Sequence, residues 1–169
     1  MAMMGDMELR FVVVVDRQLE QSLQKIRTCV DALRDDELWW RPNESCNAVG
    51  NLILHVCGNL SQWILAGVGG ELFERHRAAE FSARGTAGKA ELLERLTDVV
   101  GRCRGVVATA ARDQLIAARR IQDTDTDGLG AIFHAVEHMS YHAGQIVFIA
   151  KQLAADRTEI EFYPHLRGK

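Results

Sequence analysis

Three of the six histidines lie at consecutive four-residue steps, as His134, His138 and His142. On an α-helix this spacing places the three imidazoles on one face, about one turn apart. Two imidazoles one turn apart can bind a single metal ion, whereas His134 and His142 lie about 12 Å apart along the axis and cannot. The helix therefore predicts one ligand pair, either His138 with His142 or His134 with His138, and a third ligand must come from elsewhere.

We favour the pair His138 and His142. Ala143 and Gly144 follow it directly, and such small residues permit a close approach of the neighbouring backbone. In this interpretation His134 is a neighbour of the site, either in its cleft or behind its ligands.

A fourth histidine, His55, is the candidate for the third ligand. Its predicted helix carries a tight apolar stripe, and His55 lies about 120° away from that stripe. Asn51, Asn59 and Gln62 share this polar face. A helix face turned to solvent would more often carry Lys and Glu, so these neutral groups indicate a face that reaches the histidine pair across the interior.

Three neutral histidines leave a coordination position open, which is typical of catalytic zinc and not of structural zinc. Zinc or nickel is the expected divalent ion, with manganese, iron or cobalt as alternatives, because a site made only of nitrogen ligands accepts all of them. Such an ion lowers the pKa of a coordinated water or thiol toward neutrality. No carboxylate base lies at a convincing position, since Glu137 adjoins His138 but falls on the solvated side of its helix.

Apolar residues at steps of three and four predict four long helices that position these histidines. We expect them over residues 6–34, 47–68, 89–112 and 128–155. A polar crossover up to Gly88 joins the second helix to the third, and residues 114–126 are predicted as a short hairpin or an extended strap. Trp39 and Trp40 are expected to close one end of the core. The sequence thus predicts an all-α fold, a four-helix bundle with a long crossover.

The bulk properties of the chain predict one domain over residues 1–169, with a core at about 6–155 and a C-terminal tail at 156–169. The net charge of −3 and pI of about 6.1 argue against nucleic acid and anionic membranes as partners. We expect a cytoplasmic protein, because no apolar run approaches the length of a membrane span.

The four cysteines form no CxxC pair and are expected to be reduced and mostly buried. The apolar run Phe11–Val15 predicts either deep burial or contact with a second subunit.

Three segments resemble the DinB/YfiT-like superfamily. HMSYHAGQIVFIAKQL is similar to its last-helix signature, NLILHVCGNLSQW to its second-helix histidine segment, and LWWRPNES to its interhelix loop. The likeness covers about residues 8–155 and suggests an uncharacterised bacterial DinB-like branch. It implies a four-helix bundle with a long crossover, a homodimer, and a metal site in which the ligands are His55, His138 and His142. Relatives include S-transferases that use low-molecular-weight thiols such as bacillithiol or mycothiol.

Three functional hypotheses follow from the site and the resemblance. The first is a metal-dependent S-transferase, in which a small thiol attacks an electrophilic small-molecule substrate. The second is a metal-dependent hydrolase, and the third is a non-catalytic, dimeric metal-binding stress protein. Beyond the ligands, the sequence identifies no catalytic residue; the candidates in the cleft or behind the ligands are His134, Tyr141, Asn51 and Asn59.

Overall fold

The computed structural model describes residues 5–163. In chain order its elements are α1 (Asp6–Ala32), a 3-10 turn (Glu37–Trp39), α2 (Val49–Leu60, continued by a π-helical segment, Ser61–Ala66), α3 (Arg77–Ser82), α4 (Lys89–Thr109), α5 (Arg112–Ile116), β1 (Arg119–Ile121), β2 (Thr124–Thr126) and α6 (Gly128–Leu153).

The four long helices pack around one core. α1 contacts α6 and α4, and α2 contacts the same two helices. Apolar residues spaced three and four apart are buried on each helix, as Leu19, Leu23 and Ile26 are on α1. The chain from α2 to α4 crosses the bundle through residues 71–88 and includes α3. The predicted all-α, four-helix bundle with a long crossover is therefore confirmed.

The N-terminus of α6 is well defined, and it sets where the histidines fall. The Asp127 side chain accepts a hydrogen bond from the backbone N–H of Gly130 at 2.7 Å and caps the helix. From this start α6 buries Ala131, Ala135 and Ala143, whose small side chains let it lie close to its neighbours.

The segment between α4 and α6 differs in part from the prediction. α4 ends at Thr109, and residues 112–116 form the separate short helix α5. Of the two predicted alternatives for the following residues, the hairpin is confirmed, because β1 and β2 pair antiparallel. Gln122 and Asp123 form its two-residue turn with φ of 50° and 62°, the left-handed conformation that such tight hairpins require.

Three expectations about apolar residues are met only in part. The Trp39 ring packs against Gly50 and its Nε1 donates to the carbonyl of Ala87, whereas Trp40 is 39% exposed. Within Phe11–Val15, Val15 is buried but Val13 and Val14 are exposed, so the run is not buried on every side; the homodimer stays a prediction. Ile160 packs into the core, while residues 164–169 of the predicted tail lie outside the described residues.

Within residues 5–163, no helix combines the length and the hydropathy that crossing a bilayer would require.

Candidate metal centre

Three histidine side chains converge between α2 and α6. The Nε2 atom of His138 lies 2.9 Å from Nε2 of His55 and 3.1 Å from Nε2 of His142. Donor atoms of the three residues all lie within 4.8 Å of one another. His55 and His142 are buried and His138 is half-buried. Of the pairs that α6 offered, His138 and His142 are thus the two that meet His55.

The far nitrogens of two of these rings are held by hydrogen bonds. His142 Nδ1 lies 2.7 Å from Oε1 of Gln145, one turn further along α6. His55 Nδ1 lies 2.8 Å from a carboxylate oxygen of Glu80, which α3 carries. Amide and carboxylate oxygens are acceptors, so each Nδ1 carries the proton and donates it. Each Nε2 therefore turns a lone pair toward the common point.

The surroundings keep the α6 histidines neutral. Burial, with the neighbouring histidines, lowers the pKa of His138 to about 3. Burial also lowers the pKa of His142, and the hydrogen bond to Gln145 offsets only part of that effect. Burial alone would raise the pKa of Glu80, but the hydrogen bonds from His55 and Arg75 outweigh burial and hold it below its ordinary value. Neutral imidazoles backed by an ionised carboxylate are the state that binds a metal.

The donor set fits a divalent metal ion. His138 Nε2 faces two lone pairs but can give at most one proton, so hydrogen bonding alone cannot satisfy all three nitrogens. A cation at the common point satisfies them together. Two nitrogens that each bind one tetrahedral zinc ion at about 2.1 Å lie about 3.4 Å apart, a few tenths of an ångström more than the separations here. His55, His138 and His142 can hold such an ion.

Three of the remaining candidate residues do not contact this point. His134 stacks on the Trp63 ring, with centroids 3.9 Å apart, and its Nε2 lies 3.5 Å from the Asn59 amide nitrogen. Asn51 turns toward the crossover, where its amide donates to the carbonyls of Glu80 and Ala83 at 2.9 and 3.0 Å. Asn51 therefore anchors the crossover to α2.

The fourth candidate, Tyr141, lines a cavity beside the centre. The cavity measures about 580 Å³, and its walls include Trp40, Leu52, Tyr141, Gln145, Phe148 and Ile149. Gln145 belongs both to this wall and to the hydrogen bond with His142. The cavity is mostly apolar; its lining residues do not include His55, His138 or His142, and Gln145 connects it to His142.

Cysteine is poorly suited to bind metal at this centre. Cys29, Cys57 and Cys103 are buried free thiols, and burial raises the pKa of Cys29 to about 11 and that of Cys57 to about 12. Cys46 is half-buried and lines the cavity beside Tyr141. The four thiols are free and three of them are buried, as the sequence predicted.

Sequence reasoning missed Glu80, Arg75 and Gln145. Gln145 was accessible in principle, because it follows His142 by three residues and so shares its helix face. Glu80 and Arg75 lie in the crossover, where no periodicity marks which side chains turn inward. One signal was present on α2: Gly58 follows His55 by three residues, and a side chain there would collide with the Glu80 carboxylate.

Comparisons with known proteins bear on the fold. The model of a family described as "Protein of unknown function (DUF1572)" matches residues 6–162. Among curated proteins, none matches the sequence. Two solved structures from Bacillus subtilis are similar: the DinB-like protein YjoA has 15% identity and a TM-score of 0.66, over 88% of this chain and 96% of that chain.

The second is YfiT, described as "a probable metal-dependent hydrolase with an unusual four-helix bundle topology". It has 15% identity and a TM-score of 0.68, over 89% of this chain and 90% of its own. At these identities the likeness to both structures establishes the fold.

Proposed function

This chain belongs to the DUF1572 family, a DinB-like family, and on that premise we propose that it is a metal-dependent enzyme acting on a small molecule. The observation that carries the proposal is the convergence of three Nε2 donors, from His55, His138 and His142, on one point. A divalent ion held by three imidazoles keeps a coordination position free and lowers the pKa of a water or thiol that binds there.

The reaction favoured here is the transfer of a low-molecular-weight thiol to an electrophile. Hydrolysis of the HExxH type needs a free carboxylate as general base beside the metal. Glu80 is the carboxylate that contacts a ligand, but both its oxygens already accept hydrogen bonds, from His55 and Arg75. A thiol that reacts as its thiolate needs no such base, because its proton is lost before the attack.

The cavity beside His142 is the proposed place for the electrophile. Its apolar walls, with Trp40, Leu52 and Phe148, suit an uncharged organic group, and ligand pockets commonly measure about 300–1,000 Å³. The Tyr141 hydroxyl and the amides of Gln145 and Gln152 are polar groups on the α6 wall that can orient it. The substrate's reacting carbon forms a bond to sulfur while its leaving group departs with the bonding electrons, and the thiol proton goes to solvent.

Hydrolysis is the second candidate, because the structurally similar YfiT carries that description. The two reactions differ in the nucleophile and share the three-histidine site, so one set of variants tests both. Zinc or nickel is the proposed ion.

The test uses the full chain loaded with zinc or nickel. One arm supplies bacillithiol, mycothiol or cysteine with monochlorobimane and follows the fluorescent thioether; the other supplies p-nitrophenyl acetate and follows nitrophenolate. We expect thioether formation in the wild type and in His76→Ala, which changes an exposed histidine of the crossover, and only the uncatalysed rate in His138→Ala. Ester cleavage alone, with the same variant pattern, would favour hydrolysis. No turnover in either arm by metal-loaded protein would refute the enzyme proposal.

A further inference from the structure

The crossover contributes a buried ion pair to the centre. Arg75 precedes α3 and Glu80 lies within it, and their side chains are 4% and 10% exposed. Arg75 Nε donates to one oxygen of Glu80 at 2.8 Å and its Nη2 to the other at 2.9 Å. This bidentate arrangement fixes the plane of the carboxylate.

Several residues of α2 and its π-helical continuation hold the ion pair in place. Arg75 Nη1 donates to Oε1 of Gln62, and its Nη2 also lies within 3.3 Å of the backbone carbonyl of His55. Asn51 holds the backbone of α3 from the turn before. Gly58 supplies the space, since any side chain there would occupy the position of the Glu80 carboxylate. The polar face of α2 thus forms a receptor for the crossover.

The Glu80 carboxylate contacts His55, the one candidate ligand that lies on α2 and not on α6. Oε2 of Glu80 lies 2.8 Å from Nδ1 of His55. Arg75 Nη2 also lies 3.1 Å from this nitrogen and could donate to it only if Nδ1 carried no hydrogen. The contact to the carboxylate is shorter and requires a hydrogen on Nδ1, so it favours that tautomer. The Nε2 lone pair of His55 is left pointing at Nε2 of His138.

We infer that Glu80, held by Arg75, is a positioning residue that sets the tautomer and orientation of His55 for metal binding. The inference rests on the proposed metal site and concerns how that site is built. A carboxylate behind a ligating imidazole fixes its tautomer and raises its basicity, and removing such a partner typically weakens metal binding by roughly 10–100-fold. The crossover between α2 and α4 is then part of the proposed metal centre.

The chain offers a matched control for the test. Glu37 is also a largely buried carboxylate paired with arginine, but within residues 5–163 it contacts Arg157 and Arg34 and no histidine. Glu37→Gln therefore reproduces the loss of a buried charge without touching the centre. Zinc affinity is measured for the wild type, Glu80→Gln and Glu37→Gln by competition with a chromophoric chelator.

The expected result is a zinc affinity roughly 10–100-fold weaker in Glu80→Gln, with Glu37→Gln equal to the wild type. Equal zinc affinities in Glu80→Gln and Glu37→Gln would overturn the inference, whether or not both differ from the wild type. A wild type that binds no zinc would instead refute the proposed metal site.

A second measurement requires no variant to fold. The ¹⁵N chemical shifts of the ring nitrogens in the metal-free wild type report the tautomer of His55. The inference predicts a proton on Nδ1, and a proton on Nε2 would overturn it. This readout does not depend on activity or on metal, so it separates a failure of Glu80's role from a failure of the proposed function.

Discussion

Glu37 and Glu80 place similar chemistry in two different regions of the molecule. Each side chain is at most 10% exposed and each accepts hydrogen bonds from arginine. Glu37 begins the 3-10 turn that follows α1 and binds Arg157 beyond α6 and the backbone N–H of Arg34, so it ties two chain segments together. Glu80 accepts two hydrogen bonds from the single side chain of Arg75, and its remaining hydrogen bond comes from His55.

The role of a buried carboxylate depends on its third hydrogen-bond partner. When all partners are arginine and backbone, as at Glu37, the result is a structural tie. When one partner is an imidazole whose other nitrogen faces a common donor point, as at Glu80, the ion pair can orient a candidate ligand.

The largest expected effect is the loss of metal in His138→Ala. Its Nε2 is the atom that lies nearest to both of the other donors, so removing it leaves two nitrogens that cannot hold an ion firmly. Elemental analysis of purified, zinc-reconstituted protein should find one zinc per chain in the wild type and in His76→Ala, and close to none in His138→Ala. Zinc retained by His138→Ala would show that the metal binds elsewhere.

Metal-free Glu80→Gln should lose more stability than Glu37→Gln. Arg75 is 4% exposed and keeps an uncompensated charge in the interior, which costs about 3–5 kcal/mol. Arg157 and Arg34 are 30% and 55% exposed and can turn to water, so Glu37→Gln should cost only about 1–3 kcal/mol. Urea unfolding of both variants measures the two free energies. A larger loss of stability in Glu37→Gln than in Glu80→Gln would mean that solvent reaches the Arg75–Glu80 ion pair.

Zinc should slow amide hydrogen exchange in the crossover and leave the Glu37 region unchanged. Coupling between two sites is reciprocal: the factor by which docked Glu80 tightens zinc binding is the factor by which zinc stabilises the docked crossover. Exchange measured by mass spectrometry should therefore slow roughly 10–100-fold across residues 75–84. The same slowing at residues 34–39, or in Glu80→Gln, would remove the distinction between the two regions.

The smallest expected effect is a pH dependence of the free energy of unfolding, which comes from His138 and not from the Glu37 region. His138 has its pKa lowered from 6.5 to about 3 in the folded, metal-free protein. The unfolded chain therefore binds more protons between these values, and the free energy of unfolding falls as pH drops below 6.5, by at most about 1.4 kcal/mol per pH unit. Urea unfolding at about pH 7 and pH 5 should show a smaller difference in His138→Ala than in the wild type. An equal difference would mean that this histidine does not contribute.

Much of the fold and of the donor set follows from local patterns. Steps of three and four determine which residues each long helix buries, and the four-residue step between His138 and His142 places both on one side of α6. His55 could be found because neutral polar residues surround it where a solvent face would carry charges. These features depend on residues close together in the chain.

The support behind the ligands could not be predicted, because it depends on how distant segments dock. Glu80 approaches His55 only once the crossover folds back on α2, and residues 71–88 carry no periodicity that indicates this. Tertiary packing also leaves Trp40 and Phe133 exposed, although both side chains are bulky and apolar. A small residue beside a ligand, such as Gly58, is the kind of local sign that a buried partner will approach.

X-ray absorption of the zinc-loaded wild type reports the atoms bound to the ion, and therefore shows directly whether His55, His138 and His142 bind it. Three imidazole nitrogens at about 2.0–2.1 Å, with a light atom in the remaining position, are predicted for binding by His55, His138 and His142. A sulfur neighbour at about 2.3 Å, or fewer than three imidazoles around the ion, would contradict the account.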